Sequence, residues 1–213
     1  IKNVKKISNS PLEGMNICYL GSSITYGETS LRETFVEFIA KRNSTKYIKE
    51  AVSGTTLVTT NKNDKSYIKK KKKINRSAKF DLFVCQLSTN DALQNKSLGS
   101  IYDIDIGNIC GAINTIIDYV KTTWNCPMVF YTNAYYKNEN YYKMVEAMKK
   151  ISKIKDVGFI DLYTDKSFND ISSKQRSLYL ADKIHPTRAG YLEWWTPKIE
   201  QYFYDYIGGN EDD

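Results

Sequence analysis

Hydrophobic positions along this chain follow two alternating patterns. Short, nearly continuous apolar runs occupy residues 16–20, 47–52, 81–87, 128–131 and 158–162. Longer stretches between them repeat every three to four residues. Leu31, Phe35, Phe38 and Ile39 share one helical face; so do Ile109, Ile113, Ile116, Ile117 and Val120, within a helix over 106–123. Met144, Val145, Met148 and Ile151 do the same within 141–154. Strand-length apolar runs alternating with amphipathic helices predict a parallel sheet sandwiched between helical layers.

Local signals place the ends of these elements. Ser30-Leu31-Arg32-Glu33 has the form of a capping box opening the first long helix. A short helix is expected over 64–74. Thr187 is placed to cap a last helix running to Ile207, interrupted or kinked at Pro197. The 213 residues contain no repeat and no domain-scale linker. One domain is therefore expected over 1–213, with a core at 14–207, an N-terminal extension at 1–13 and an acidic tail at 208–213.

Charge changes the picture only locally. The net charge is +7, and residues 62–79 alone hold nine basic residues against one acid, Asp64. Within that run Lys69, Lys70, Lys71, Lys72 and Lys73 are consecutive. They read either as a solvated helix face or as contacts to a polyanion. A neutral body carrying one basic segment argues against nucleic acid. Cys18, Cys85, Cys110 and Cys126 form no C-x-x-C pair, and there is a single histidine, so no metal site is expected. Scattered thiols favour a reducing, cytoplasmic setting. The chain begins at Ile1 without an initiator Met, so a removed leader and a secreted or cell-surface location stay open. No apolar run reaches the length of a membrane span. The oligomeric state is not legible.

The candidate chemistry sits where strands end. Ser22-Ser23 follows the first strand, Gly54 the second, and Ser88-Thr89-Asn90-Asp91 the third. Asp182-Lys183-Ile184-His185 precedes the last helix. In an open parallel sheet these loops share the carboxyl edge, where ligands bind. A serine, the lone imidazole and a carboxylate are the parts that activate a hydroxyl as nucleophile. The pattern needs no cofactor. Two other readings stay open: a flavodoxin-like cofactor binder using the loop after the first strand, and a non-catalytic polyanion-binding module.

The motifs resemble those of the SGNH (GDSL-type) esterase and lipase family, and the similarity points to bacteria. Gly21-Ser22-Ser23-Ile24-Thr25-Tyr26-Gly27 matches the first family block, with Ser22 where Asp is usual. Gly54 matches the second. Ser88-Thr89-Asn90-Asp91 matches the third, with Ser88 where Gly is usual, and Asp182–His185 followed by Pro186 matches the last. The resemblance implies a three-layer, flavodoxin-like α/β/α fold with a five-stranded sheet of order 2-1-3-4-5. It implies an ester hydrolase with Ser23, His185 and Asp182 as triad. The oxyanion donors would be the Ser23 and Gly54 backbone N–H groups and the Asn90 amide.

Substrate contacts are then expected from Ser22, Thr25, Thr89, Tyr135 and Tyr136, a polar set that suits a short acyl group on a carbohydrate. Lipase, lysophospholipase or thioesterase activity is the family alternative. Tyr135 and Tyr136 suit stacking on sugars, although a chain with 17 tyrosines also supplies such pairs by composition.

Overall fold

A computed structural model describes residues 1, 3–61 and 65–208. The chain opens with β1 (Asn16–Gly21), α1 (Ser23–Tyr26), α2 (Phe35–Asn43), β2 (Lys46–Ala51), α3 (Tyr67–Lys70) and β3 (Leu82–Gln86). It continues with α4 (Thr89–Leu93), α5 (Ile109–Trp124), β4 (Met128–Tyr131), α6 (Glu139–Lys155) and β5 (Gly158–Ile160). It closes with α7 (Lys166–Asn169), α8 (Ser173–Tyr179) and α9 (Thr196–Gly208).

The five strands form one parallel sheet in the order β2-β1-β3-β4-β5. Successive residues of a strand face opposite ways, so each strand feeds two cores. Cys18, Leu20, Phe83, Cys85, Met128 and Phe130 pack against α3, α5 and α6. Ile17, Tyr19, Leu82, Val84, Val129 and Tyr131 pack on the other face, against α2 and α9. This double burial explains why the central strands read as unbroken apolar runs. The edge strand β2 differs: Tyr47 and Ile48 are exposed, and Lys49 pairs with Glu37 at 2.6 Å. Charge on an edge discourages pairing with another chain.

Three local expectations need correction. The capping box is Thr34-Phe35-Val36-Glu37, not Ser30–Glu33. Starting at Thr34 turns Phe35, Val36, Phe38 and Ile39 inward, whereas Leu31 lies in a turn with φ of 56° and is 88% exposed. Glu33 is instead taken by Arg188 and the Ile1 amino group. The helix expected over 64–74 shortens to α3, followed by a 3-10 turn at Lys71–Lys73; the part at 62–64 lies outside the described residues. The last helix starts after Thr187, whose hydroxyl accepts the Gly190 N–H at 3.1 Å. It widens into a π turn over Gly190–Trp195, just ahead of Pro197. There the Thr196 N–H reaches the Tyr191 carbonyl, five residues back. Of the expected acidic tail only Gly208 is described.

The lysine run does not form a uniform face. Lys69 donates to the Asn61 carbonyl at 2.7 Å, and Lys70 pairs with Glu50 at 3.2 Å. Lys71 is buried with its ammonium 3.6 Å from the centre of the Tyr119 ring, and burial pushes its pKa down to about 8. Lys72 and Lys73 are exposed.

Candidate active site

Ser23 is the first residue of α1, directly beyond the carboxyl end of β1. Its hydroxyl lies 2.9 Å from His185 Nε2, and His185 Nδ1 lies 2.7 Å from Asp182 Oδ2. A carboxylate only accepts, so Nδ1 carries the ring proton and Nε2 is free to accept from the serine. Asp182 Oδ1 accepts the backbone N–H groups of Ile184 and His185, both at 2.8 Å. Partial burial pushes the Asp182 carboxyl up, but these two N–H bonds and the His185 ring outweigh it and hold it below the usual range.

The loop carrying Asp182 and His185 is a small backbone-paired hairpin. The Ala181 N–H donates to the His185 carbonyl at 2.9 Å, and the Thr187 N–H to the Tyr179 carbonyl at 2.8 Å. Thr29 Oγ1 donates to the Pro186 carbonyl at 2.9 Å, and Asn133 Nδ2 to the Ile184 carbonyl at 3.2 Å. The imidazole is thus fixed from several elements, far apart in sequence.

The second and third loops are stitched together beside β1. Gly54 sits in an exposed turn at φ of 78°, a conformation that an L side chain strains to adopt. Thr55 Oγ1 donates to the Val52 carbonyl at 2.7 Å, and Asn90 Nδ2 donates to the Thr55 carbonyl at 2.8 Å. Asp91, fully buried, accepts the N–H groups of Leu57 at 2.7 Å and Val58 at 3.2 Å. Burial raises its pKa to about 6, against the pull of those N–H bonds.

Beneath Ser23 lies a polar layer that sequence reasoning missed. Gln86 ends β3, and its Oε1 accepts from the Ser22 N–H at 2.9 Å, the Thr25 N–H at 3.2 Å and Thr25 Oγ1 at 2.8 Å. Tyr131 then donates its hydroxyl to Thr25 Oγ1 at 2.6 Å. The packing is close: a Cβ on Gly21 would fall 1.7 Å from Thr25 Oγ1. A glutamine ending an otherwise apolar strand was the available signal.

These contacts correct the expected substrate contacts. Ser22, Thr25 and Thr89 are buried and line no pocket; Ser22 and Thr25 are tied from below to Gln86, whereas the Thr89 hydroxyl is buried without a partner among the described residues. Tyr136 is largely buried against Tyr141 and Tyr163, yet it shares with Tyr135 the wall of a surface groove. Tyr135 is half exposed and borders a groove of about 490 Å³ that reaches Asp182.

The family model for GDSL-like lipase/acylhydrolase matches residues 19–192. The chain belongs to that family. It is a hydrolase of ester bonds. The GDSL fold is also seen in similar solved structures. A Lactobacillus plantarum protein is 18% identical, covers 92% of this chain and 98% of its own, and superposes with a TM-score of 0.74. A Bacteroides ovatus protein described as a GDSL-like lipase is 20% identical, covers 90% and 98%, and gives 0.66. A mutant acetyl-xylooligosaccharide esterase from Geobacillus is 13% identical, covers 92% and 95%, and gives 0.63. No curated protein sequence matches the chain.

Among the described residues no cluster of His, Cys, Asp and Glu is arranged to hold a metal, and no helix is long and apolar enough to cross a membrane. All four cysteines are free and buried.

Proposed function

We propose that this GDSL-family chain is a serine esterase that removes short acyl groups, acetyl foremost, from a carbohydrate. The observation that carries the mechanism is the continuous chain from Ser23 Oγ to His185 Nε2 at 2.9 Å and from His185 Nδ1 to Asp182 at 2.7 Å. Ser23 Oγ bonds to the ester carbonyl carbon as its proton passes to His185 Nε2. Asp182 holds the ring and stabilises the imidazolium. The oxyanion takes hydrogen bonds from the Ser23 and Gly54 N–H groups and the Asn90 amide.

Collapse of the tetrahedral intermediate breaks the carbon–oxygen bond to the alcohol, which takes the proton from Nε2. Water then attacks the acyl-serine, gives its proton to Nε2, and leaves as the carboxylic acid once the acyl–Oγ bond breaks. The proton returns to Ser23.

The acyl assignment is supported by the groove beside Asp182. Leu180 is its one aliphatic wall; the rest is tyrosine, serine and charged side chains. That lining suits a sugar better than a long acyl chain. The test is hydrolysis of p-nitrophenyl acetate, butyrate and octanoate by wild type and Ser23→Ala. Turnover that declines with chain length and vanishes in Ser23→Ala is expected. Equal rates in the two proteins would overturn the mechanism, and a preference for octanoate would overturn the acyl assignment.

A further inference from the structure

Three cations outside the lysine run stand beside the candidate triad. Lys137, Arg176 and Lys183 line the groove that reaches Asp182. Lys183 lies inside the triad loop itself, two residues before His185. None of the three makes an ion pair among the described residues, whereas Lys49, Lys70, Lys143, Lys149, Lys155 and Lys198 all do. Arg176 has only a long bond, 3.4 Å, from Nη2 to the Asn169 carbonyl. The one carboxylate at the groove, Asp182, has its oxygens occupied by Ile184 and His185. Against the three cations the groove sets the single carboxylate of Asp182, already engaged by His185, so its lining carries net positive charge.

A second feature extends the groove. Tyr135 stands half exposed as a ridge, tilted against Tyr163 at 5.3 Å between ring centres. It borders two further hollows, of about 250 and 290 Å³, both also walled by half-exposed Tyr142. The three hollows share Tyr135 and offer successive places for pyranose rings; the acids that line the outer two, Asp165 and Glu139, are paired with Lys198 and Lys143.

We propose, building on the esterase reading above, that the substrate is an acidic oligosaccharide. An ester-bearing sugar sits at Ser23, the chain crosses Tyr135, and uronate carboxylates pair with Lys137, Arg176 and Lys183. Guanidinium and ammonium groups recognise carboxylates by charge-assisted hydrogen bonds.

The test compares acetate release from acetylated oligogalacturonides and from acetylated xylooligosaccharides, which differ in the carboxylate. Each exposed pair is worth about two- to fivefold, so kcat/KM should favour the acidic substrate by about tenfold or more at low salt. In about 1 M NaCl, where the screening length falls to about 3 Å, the ratio should collapse towards one. It should also collapse in Lys137→Gln/Arg176→Gln/Lys183→Gln, and persist in Lys46→Gln/Lys150→Gln/Lys153→Gln, whose lysines are exposed away from the groove. Calorimetric binding of the oligogalacturonide to Ser23→Ala should show the same salt dependence without relying on turnover or on the triple variant folding.

A ratio near one, a ratio that ignores salt, or a preference for an anionic lysophospholipid over both saccharides would overturn the proposal. Ser23-dependent hydrolysis of p-nitrophenyl acetate alongside any of these results would leave the esterase reading standing. Oligogalacturonide that fails to bind Ser23→Ala at low salt would sink the acidic-substrate reading even if both saccharides are hydrolysed.

Discussion

Gln86 Nε2 donates to the Ser22 hydroxyl at 2.9 Å, directly beneath the residue that holds the candidate nucleophile. The same amide accepts three bonds through Oε1, from both backbone and side chain of the loop that carries Ser23. Ser22 stands where the family motif carries an aspartate. Here a neutral hydroxyl meets a neutral amide, and the loop is held without burying a charge.

Gln86→Leu should therefore disturb both stability and rate. It strands the Ser22 N–H, the Thr25 N–H and the Ser22 hydroxyl in a buried site, leaving Thr25 Oγ1 only its bond to Tyr131, and each unpaired group costs about 1–3 kcal/mol. Misplacing Ser23 Oγ by a fraction of an ångström should lower kcat by about tenfold or more while KM moves little. Gln86→Glu keeps the accepted bonds, and the Ser22 hydroxyl can rotate to donate, so it should retain more activity. Urea unfolding and steady-state kinetics on the two variants check this. A Gln86→Leu protein with wild-type kcat would remove any positioning role.

Asp182→Asn tests the orientation of His185. An amide at 182 can still accept the Ile184 and His185 N–H groups through its oxygen. Its other arm is then an NH2 group, which cannot accept from Nδ1–H and favours the wrong tautomer. Loss of kcat by about a hundredfold or more is expected, up to about ten-thousandfold as in serine protease triads, with an unchanged melting temperature. Kinetics at saturating p-nitrophenyl acetate measure it.

Legibility in the sequence followed burial. Strands such as Leu82–Gln86, buried on both faces, announced themselves as apolar runs; His185 stood out as the lone histidine, and Ser23 and Asp182 by their place after the first strand and three residues before that imidazole. The Ser30 capping box was misread because Thr34-Phe35-Val36-Glu37 satisfies the same rule and buries more apolar surface. Thr25 and Thr89 looked like pocket walls because sequence position gives the loop and not the side of the loop. Lys137, Arg176 and Lys183 were invisible as a group, since nothing short of the fold brings residues from three segments around one groove.

Asp91 predicts a pH signature of stability. Its pKa rises from 3.8 to about 6 in the folded protein, so the fold favours the protonated carboxyl. The stability tied to this group is complete below pH about 4 and is lost as pH rises through about 6, a swing of about 3 kcal/mol. Asp91→Asn removes the titration, at the cost of one of the N–H bonds to Leu57 and Val58, because an amide has a single acceptor oxygen. The unfolding free energy of wild type minus variant should fall between pH 4 and 7. A flat difference across that range would show that Asp91 does not titrate as its burial requires.

Lys71 makes the opposite case for the lysine run. It is 3% exposed, sits over Tyr119, and forms no ion pair among the described residues. Burial, helped by the neighbouring Lys72, lowers its pKa from 10.5 to about 8. At neutral pH the folded protein bears the cost of a poorly solvated ammonium, partly offset by the aromatic ring. Lys71→Met keeps the buried stem and removes the charge, so at pH 7 it should raise stability by about 1–2 kcal/mol. The advantage should shrink as pH rises through about 8. There the folded wild type sheds its proton before the unfolded chain does, and its stability climbs towards a plateau above pH about 10.5. Urea unfolding of both proteins at pH 7, 8 and 9 decides it: a variant less stable than wild type at pH 7 would mean that the contact with Tyr119 outweighs desolvation.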